Sequence, residues 1–272
     1  MGLLIIDETK CKRDALCARD CPAAIIRLGE RIPEIIPELE AACIDCGHCV
    51  AVCPHGALSH ARMAIEGCTP ILDKLRIDAE QAVQFLRTRR SIRHFLPKPV
   101  EKEKIQRLIE AARYAPTGGN SQMVEWLVLS DRSRIRTIAA LTMDWVREIA
   151  KDPKILAARP YLPRALAAWD AGNDSVLRDA PVLVVAMAPR DAMNGLVDLT
   201  LALSYLDVLA FAMQLGTCWA GMLQGALLAT PSIKSAVGIP ESYPHHYPMM
   251  LGYPEAKYFR LPERRAPKIT FA

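Results

Sequence analysis

CKRDALCARDCP at residues 11–22 and CIDCGHCVAVCP at residues 43–54 decide how the first part of the chain folds. Laid over each other at an offset of 32, they bring Cys11 onto Cys43, Cys17 onto Cys49, and Cys21-Pro22 onto Cys53-Pro54. The apolar pairs that trail them, Ile25-Ile26 and Ala57-Leu58, keep the same register. One position breaks the match: Asp14 stands where the second copy has Cys46. The segment is a duplicated unit. Eight of the nine cysteines lie before residue 69. An odd number so tightly clustered points to metal chemistry in a reducing compartment rather than to a disulfide framework.

Each copy reads C-x2-C/D-x2-C-x3-C-P. Two-residue gaps let successive thiolates converge on a cuboidal iron–sulfur cluster from one tight loop. The proline after the fourth cysteine fixes the backbone where the loop ends. Zinc also accepts C-x2-C pairs, but it wants four ligands from two such pairs, not two triads each followed by C-x3-C-P. The spacing therefore predicts iron–sulfur clusters. Asp14 is a harder ligand than a thiolate and would hold iron less securely among sulfurs. The alternative is that it is a solvated loop residue, since aspartate is common in turns.

The segment resembles the two-cluster bacterial ferredoxins, in which the fourth cysteine of each run serves the other cluster. The resemblance implies a ferredoxin-like domain over residues 1–65. Cluster II would take Cys43, Cys46, Cys49 and Cys21; cluster I would take Cys11, Cys17 and Cys53, with Asp14 in the fourth place. Cluster I is then a [4Fe–4S] cluster with an oxygen ligand, or one that loses that iron and becomes [3Fe–4S]. Lys12 and Arg13 flank it, and their charge favours the reduced form, weakly because exposed side chains are screened.

Residues 66–85 are expected to be a linker with a helix. Glu66-Gly67-Cys68-Thr69-Pro70 reads as a turn, and Leu72, Leu75, Ile77, Ala79, Ala82, Val83 and Leu86 form an imperfect helical stripe. Cys68 has no partner at ligand spacing and is expected to be structural. Further on, Glu101–Ala115 is an amphipathic helix carrying Ile105, Leu108, Ile109 and Ala112. EWLVLS (125–130) and PVLVVAMA (181–188) read as strands bounded by breakers. Leu196–Leu215 is apolar nearly all round, so burial on every side is expected, in part within a subunit interface. Asp198 and Asp207 interrupt it and argue against a membrane span. Met1–Ile6 is too short for a secretory signal, and a cytoplasmic location is expected. A net charge of +4 without a basic run does not argue for nucleic acid.

Three stretches after residue 86 resemble the nitroreductase family, FMN enzymes built as α+β homodimers. RRSIRHF (89–95) is close to that family's RRSxR-F. Two guanidiniums and a hydroxyl suit a phosphate dianion; the resemblance assigns Arg89, Arg90 and Ser91 to the FMN phosphate and Arg93 to the flavin N1/O2 edge. APTGGNSQ (115–122) is close to A-P-S-G-x-N-x-Q. It implicates Pro116, Thr117, Gly118, Asn120 and Gln122 in a loop that reaches the neighbouring subunit's flavin. Met123-Val124 then replaces the usual Pro-Trp. LGTCWAG (215–221) is close to the family's glycine turn, with Trp219, Ala220 and Gly221 around a backbone N–H aimed at flavin N5. Arg264 and Arg265 in LPERRAP (261–267) resemble its last phosphate-binding segment.

The implied architecture is a small duplicated ferredoxin-like domain followed, over residues 86–272, by an α+β FMN domain with its sheet flanked by helices. No Ser–His–Asp set, H-E-x-x-H or P-loop is present, so no side chain is assigned as catalytic and the chemistry falls to the cofactors. His245-His246 reads as a loop after Pro244 rather than a metal pair. Residues 141–180, with Trp145, Tyr161 and Trp169, are either a substrate lid or ordinary helical packing. The leading expectation is an oxidoreductase taking electrons from a low-potential donor, reduced ferredoxin or NAD(P)H, through the clusters to FMN. A small acceptor of nitroaromatic, quinone or enone type would receive them. Such a pairing of modules is known in the family, especially among anaerobes. The other classes are an electron carrier without its own organic substrate and an FMN dehydrogenase running oxidatively. Neither nucleic acid nor membrane is expected as a partner.

Overall fold

A computed structural model describes residues 2–272. The chain divides into two compact units, one running through Arg76 together with Gly119–Ser121, the other covering Ile77–Gly118 and Gln122–Ala272. The first contains β1 (Leu4–Ile6), α1 (Leu16–Arg19), β2 (Ile26–Leu28), β3 (Pro33–Ile35), α2 (His48–Ala51) and β4 (Leu58–His60). β1 pairs with β4 and β2 with β3, both antiparallel. The duplication is visible in the backbone: α1 and α2, and β2 and β4, sit at the offset of the cysteines. Left-handed residues repeat in step, Arg13 and Asp45 (φ 56° and 53°), Ala15 and Gly47 (62° and 72°), Ala24 and Gly56 (52° and 56°). Leu3, Ile25, Ile26, Val50 and Leu58 close around the buried Cys17 and Cys49. So small a core calls for a staple, and metal binding that couples to folding is one.

The second unit contains α3 (Ala79–Thr88), α4 (Lys102–Ala112), β5 (Glu125–Leu129), α5 (Arg132–Ile149), α6 (Pro153–Ala158), α7 (Leu162–Asp170), β6 (Val182–Ala188), α8 (Gly195–Ala212), β7 (Gly216–Trp219), α9 (Gly221–Ala229), α10 (Pro231–Val237) and β8 (His245–Gly252). One antiparallel sheet runs β5-β6-β8-β7. Every residue of β6 is buried, because helices cover both faces. Its alternate residues divide cleanly: Leu183, Val185 and Met187 join the core with α5 and α9. Val182, Val184, Ala186 and Ala188 join the core with α4 and α8. This is the α+β sheet flanked by helices that the sequence implied.

Several expectations change. The stripe beginning at Leu72 makes a single 3-10 turn at Asp73–Leu75 and is α-helical only from Ala79, where Asp78 and Gln81 form a reciprocal capping box. Leu72, Leu75, Ile77, Val83 and Leu86 are exposed. α8 packs on the sheet and α4, yet it is not buried on every side of this chain: Leu196, Val197, Tyr205 and Phe211 face outward. Its length and apolar composition would suit a membrane crossing, but one face carries Leu199, Leu203 and Leu206 into the core. His245-His246 lies in strand β8, not in a loop, so the two rings point to opposite faces. LGTCWAG is likewise not a turn but a strand leading straight into a helix. Residues 141–180 are mostly helical: Trp145 and Trp169 pack against the sheet's core and Leu162 is fully buried, while Tyr161 is exposed.

Candidate functional site

The first unit sorts its donors into two sets. Cys21 joins Cys43, Cys46 and Cys49 around one cavity, and Cys53 joins Cys11, Asp14 and Cys17 around another. The fourth cysteine of each run thus faces the other run's loop. α1 and α2 cause this: each begins one residue after a left-handed position, which turns the loop so that Cys17 and Cys49 point inward. All nine cysteines are free thiols. Burial pushes the Cys49 thiol up to about 11 and also raises Cys17 and Cys43. Thiols so hard to ionise in an apolar pocket become thiolates once iron shares their charge. Four soft donors in one set, and three plus a carboxylate in the other, fit iron–sulfur clusters.

Asp14 sits among its set but is also engaged locally. One carboxylate oxygen accepts from the Leu16 N–H at 3.1 Å, and the other lies 3.4 Å from His55 Nε2. Beside the other set Asp45 pairs with Arg62 at 2.7 Å, and the hydrogen bond from that guanidinium, more than its charge, holds Asp45 below the ordinary carboxylate range. Gly119–Ser121 belongs to this unit, where the Asn120 carboxamide donates to the Ile44 and Asp45 carbonyls at 2.9 and 3.1 Å. Cys68 packs against the small core and is not in either donor set.

In the second unit, RRSIRHF runs beside the sheet's edge strand β7. Ser91 bridges to Thr217, and the Ile92 N–H donates to the Thr217 carbonyl at 2.8 Å. Gly216 permits this approach, since a Cβ there would collide with Ile92. Arg89 and Arg90, with Arg87, Arg264 and Arg265, line a cavity of about 440 Å³. Arg89 and Arg90 also line a neighbouring one of about 460 Å³ with Asp207 and Thr217. A concave site walled by guanidiniums fits the phosphate of FMN. Arg93 is exposed and lies near Cys218, whose thiol burial pushes up while the Arg93 and Arg178 charges draw it down. The Ala220 N–H is spent on the Pro248 carbonyl at 3.0 Å. Gly221 opens α9, where a first-turn N–H has no intrahelical acceptor. Of the two, Gly221 is the one whose N–H is left without a backbone acceptor. Trp219 is held edge-on to Tyr247, with ring centroids 5.0 Å apart.

Thr117, Gly118 and Gln122 are not brought to the guanidinium cavity. Thr117 accepts from the Gln122 N–H, the Gly118 N–H donates to Asp198, and Thr117 and Gln122 line a separate hollow with Arg113 and Trp126. Pro116 is exposed. Sequence reasoning missed Asp207: this carboxylate, 5% exposed, accepts from Thr217 Oγ1 and from Trp219 Nε1 and lies 3.5 Å from Arg89. An acid inside an otherwise apolar helix was the available signal. It also missed His55, His60 and Tyr258, whose ring stands 5.8 Å from Arg90.

Residues 86–253 match the Nitroreductase family, and residues 3–54 match the 4Fe-4S dicluster domain. A protein named Ferredoxin 7Fe from Hydrogenibacillus schlegelii is 36% identical over 76 residues, 28% of this chain and 94% of that protein. An FMN reductase (NAD(P)H) of Bacillus subtilis (strain 168) is 26% identical over 147 residues, 53% of this chain and 55% of that one. Among solved structures, a nitroreductase with bound FMN from Bacteroides fragilis NCTC 9343 aligns with a TM-score of 0.58 at 18% identity. It covers 71% of this chain and 98% of its own.

Proposed function

The chain belongs to the nitroreductase family, and from that premise we propose that this oxidoreductase draws electrons from a low-potential donor through two iron–sulfur clusters to FMN. A small organic acceptor of nitroaromatic, quinone or enone type then receives them. The observation that carries this is the sorting of donors within one chain: two iron-binding sets in the first unit, a guanidinium-walled cavity in the second. When bound, the clusters exchange single electrons and FMN exchanges either one or two, which matches a one-electron donor to a two-electron acceptor. Cys21, Cys43, Cys46 and Cys49 hold a [4Fe–4S] cluster. Cys11, Cys17 and Cys53 with Asp14 hold the labile one. The Ferredoxin 7Fe likeness supports a three-iron form there, since seven irons are the sum of one four-iron and one three-iron cluster.

Arg89, Arg90, Ser91, Arg264 and Arg265 bind the phosphate, with Asp207 orienting Arg89. Arg93 places positive charge beside the flavin edge that becomes negative, and the Gly221 N–H orients the ring. The outward apolar face of α8 (Leu196, Val197, Tyr205, Phe211) favours a homodimer, in which Pro116, Thr117, Gly118, Asn120 and Gln122 of one copy approach the other copy's FMN. Reduced ferredoxin or NAD(P)H is the donor, and the reducing cytoplasm suits both clusters.

An anaerobic spectrum with iron, sulfide and FMN counts per chain tests the cofactors. Reoxidation of the reduced protein by a nitroaromatic or quinone without oxygen tests turnover; protein that stays reduced would leave only an electron carrier. Arg93→Ala is expected to keep the clusters and weaken FMN retention roughly 10-fold, the size of a lost charged hydrogen bond. A chain that is monomeric at micromolar concentration and still holds FMN overturns the dimer.

A further inference from the structure

His60 closes strand β4 and is 3% exposed, so its ring is enclosed by the first unit. Its Nδ1 accepts from the Arg62 N–H at 3.2 Å. That bond decides the tautomer: in the neutral ring the proton must then be on Nε2, which becomes a donor. Nε2 lies 3.6 Å from Cys43 Sγ and 3.8 Å from Asp45 Oδ1. The carboxylate already accepts two bonds from the Arg62 guanidinium, at 2.9 and 2.7 Å. The sulfur has no guanidinium donor, only the Asp45 backbone N–H.

We propose that His60 donates its Nε2–H to the Cys43 thiolate and thereby raises the reduction potential of the cluster that Cys43 helps to hold. The inference rests on the reading of Cys43 as a cluster ligand. As a ligand Cys43 is deprotonated, and its sulfur then faces Asp45 Oδ1 at 3.6 Å, two negative groups in a half-buried corner. A hydrogen bond to the sulfur draws density off the cluster and stabilises its more negative, reduced form. Arg62 neutralises Asp45 on the solvent side while His60 serves the buried side. Cys43, Asp45 and His60 approach one another closely enough to suggest a separate metal site, but Cys43 cannot serve that ion and the cluster together. The repeat supplies an internal control: at the offset of 32, His60 falls on Leu28, whose side chain has no N–H to give. The donor is thus private to one of the two clusters, and His60 is a positioning residue rather than a catalytic one.

The test uses the full chain, reconstituted and titrated potentiometrically with electron-spin detection, in wild type, His60→Leu and His60→Gln. Iron and sulfide counts are expected to stay level. The midpoint of the cluster that Cys49→Ser removes should move to more negative potential in His60→Leu, recover in part in His60→Gln, and leave the other cluster's midpoint in place. Electron–nuclear double resonance after exchange into D2O should show a deuteron coupling in wild type that His60→Leu lacks. An unmoved midpoint with full iron, or the same coupling in both proteins, overturns the hydrogen bond. Should His60→Leu fail to hold iron, the D2O measurement is made on His60→Phe, which keeps a ring but has no N–H to donate, and decides by the same criterion. If Cys43→Ser leaves the second cluster's spectrum intact, the ligand assignment fails first and the hydrogen bond with it.

Discussion

The two copies of the cysteine repeat follow one backbone path and offer iron different donors. Their left-handed residues, short helices and strands coincide at the offset of the cysteines, so the loop geometry is common property. What differs is side-chain chemistry at matched positions, among them Asp14 against Cys46, Ala15 against Gly47 and Leu28 against His60. The first copy places a carboxylate among thiolates, and that carboxylate is occupied by a backbone N–H and a histidine. The second presents a full set of thiolates and backs one of them with a buried N–H donor. On the proposed ligand sets a single fold would carry one robust and one labile site, because ligand hardness is a side-chain property that the loop backbone does not control.

The largest expected effect comes from breaking the robust copy. Cys49→Ser should remove the second cluster's iron and sulfide while FMN stays bound. Turnover with reduced ferredoxin or a low-potential dye should fall by at least the roughly 10-fold that milder changes around a metal already cause. Full turnover by that variant with such a donor would show that the first unit is not the entry route. Converting the labile copy into the robust one is the next test. Mild oxidation of wild type should give a [3Fe–4S] electron-spin signal, and Asp14→Cys should abolish it. Two equally robust four-iron clusters in oxidised wild type would end this account of Asp14.

The smallest effects lie in the backbone. Gly47 holds φ 72°, and a Cβ there would come 2.7 Å from Met63 Sδ. Gly47→Ala should therefore cost about 1–2 kcal/mol from the left-handed conformation alone, read as a lower urea midpoint for bleaching of the cluster absorbance. Ala15 already sits at φ 62°. Ala15→Gly relieves that strain but adds unfolded-state entropy, so a gain below about 1 kcal/mol is expected. Opposite signs for the two substitutions would sharpen the parallel between the copies; a shared sign would break it.

Much of this was legible in the residues, for a local reason. Two-residue gaps put three donors of each run on one loop whatever the rest of the chain does, so the repeat, the clusters and the odd Asp14 follow from spacing. Short apolar runs between breakers likewise marked β5 and β6, and a period-3.6 pattern marked α4. The resemblances supplied the rest of the outline, including the crossing of Cys21 and Cys53 and the α+β module. Tertiary structure decided what depends on residues far apart in the chain. It seated Arg89 against Asp207 and gathered Arg87, Arg89 and Arg90 with Arg264 and Arg265. It made His245-His246 a strand by pairing it with β6, and spent the Ala220 N–H on Pro248 so that Gly221 was left. It brought His60 to Cys43 across 17 positions. Ligand spacing is set by covalent reach along one loop, whereas a buried ring finds its acceptor only when two strands and a loop have packed.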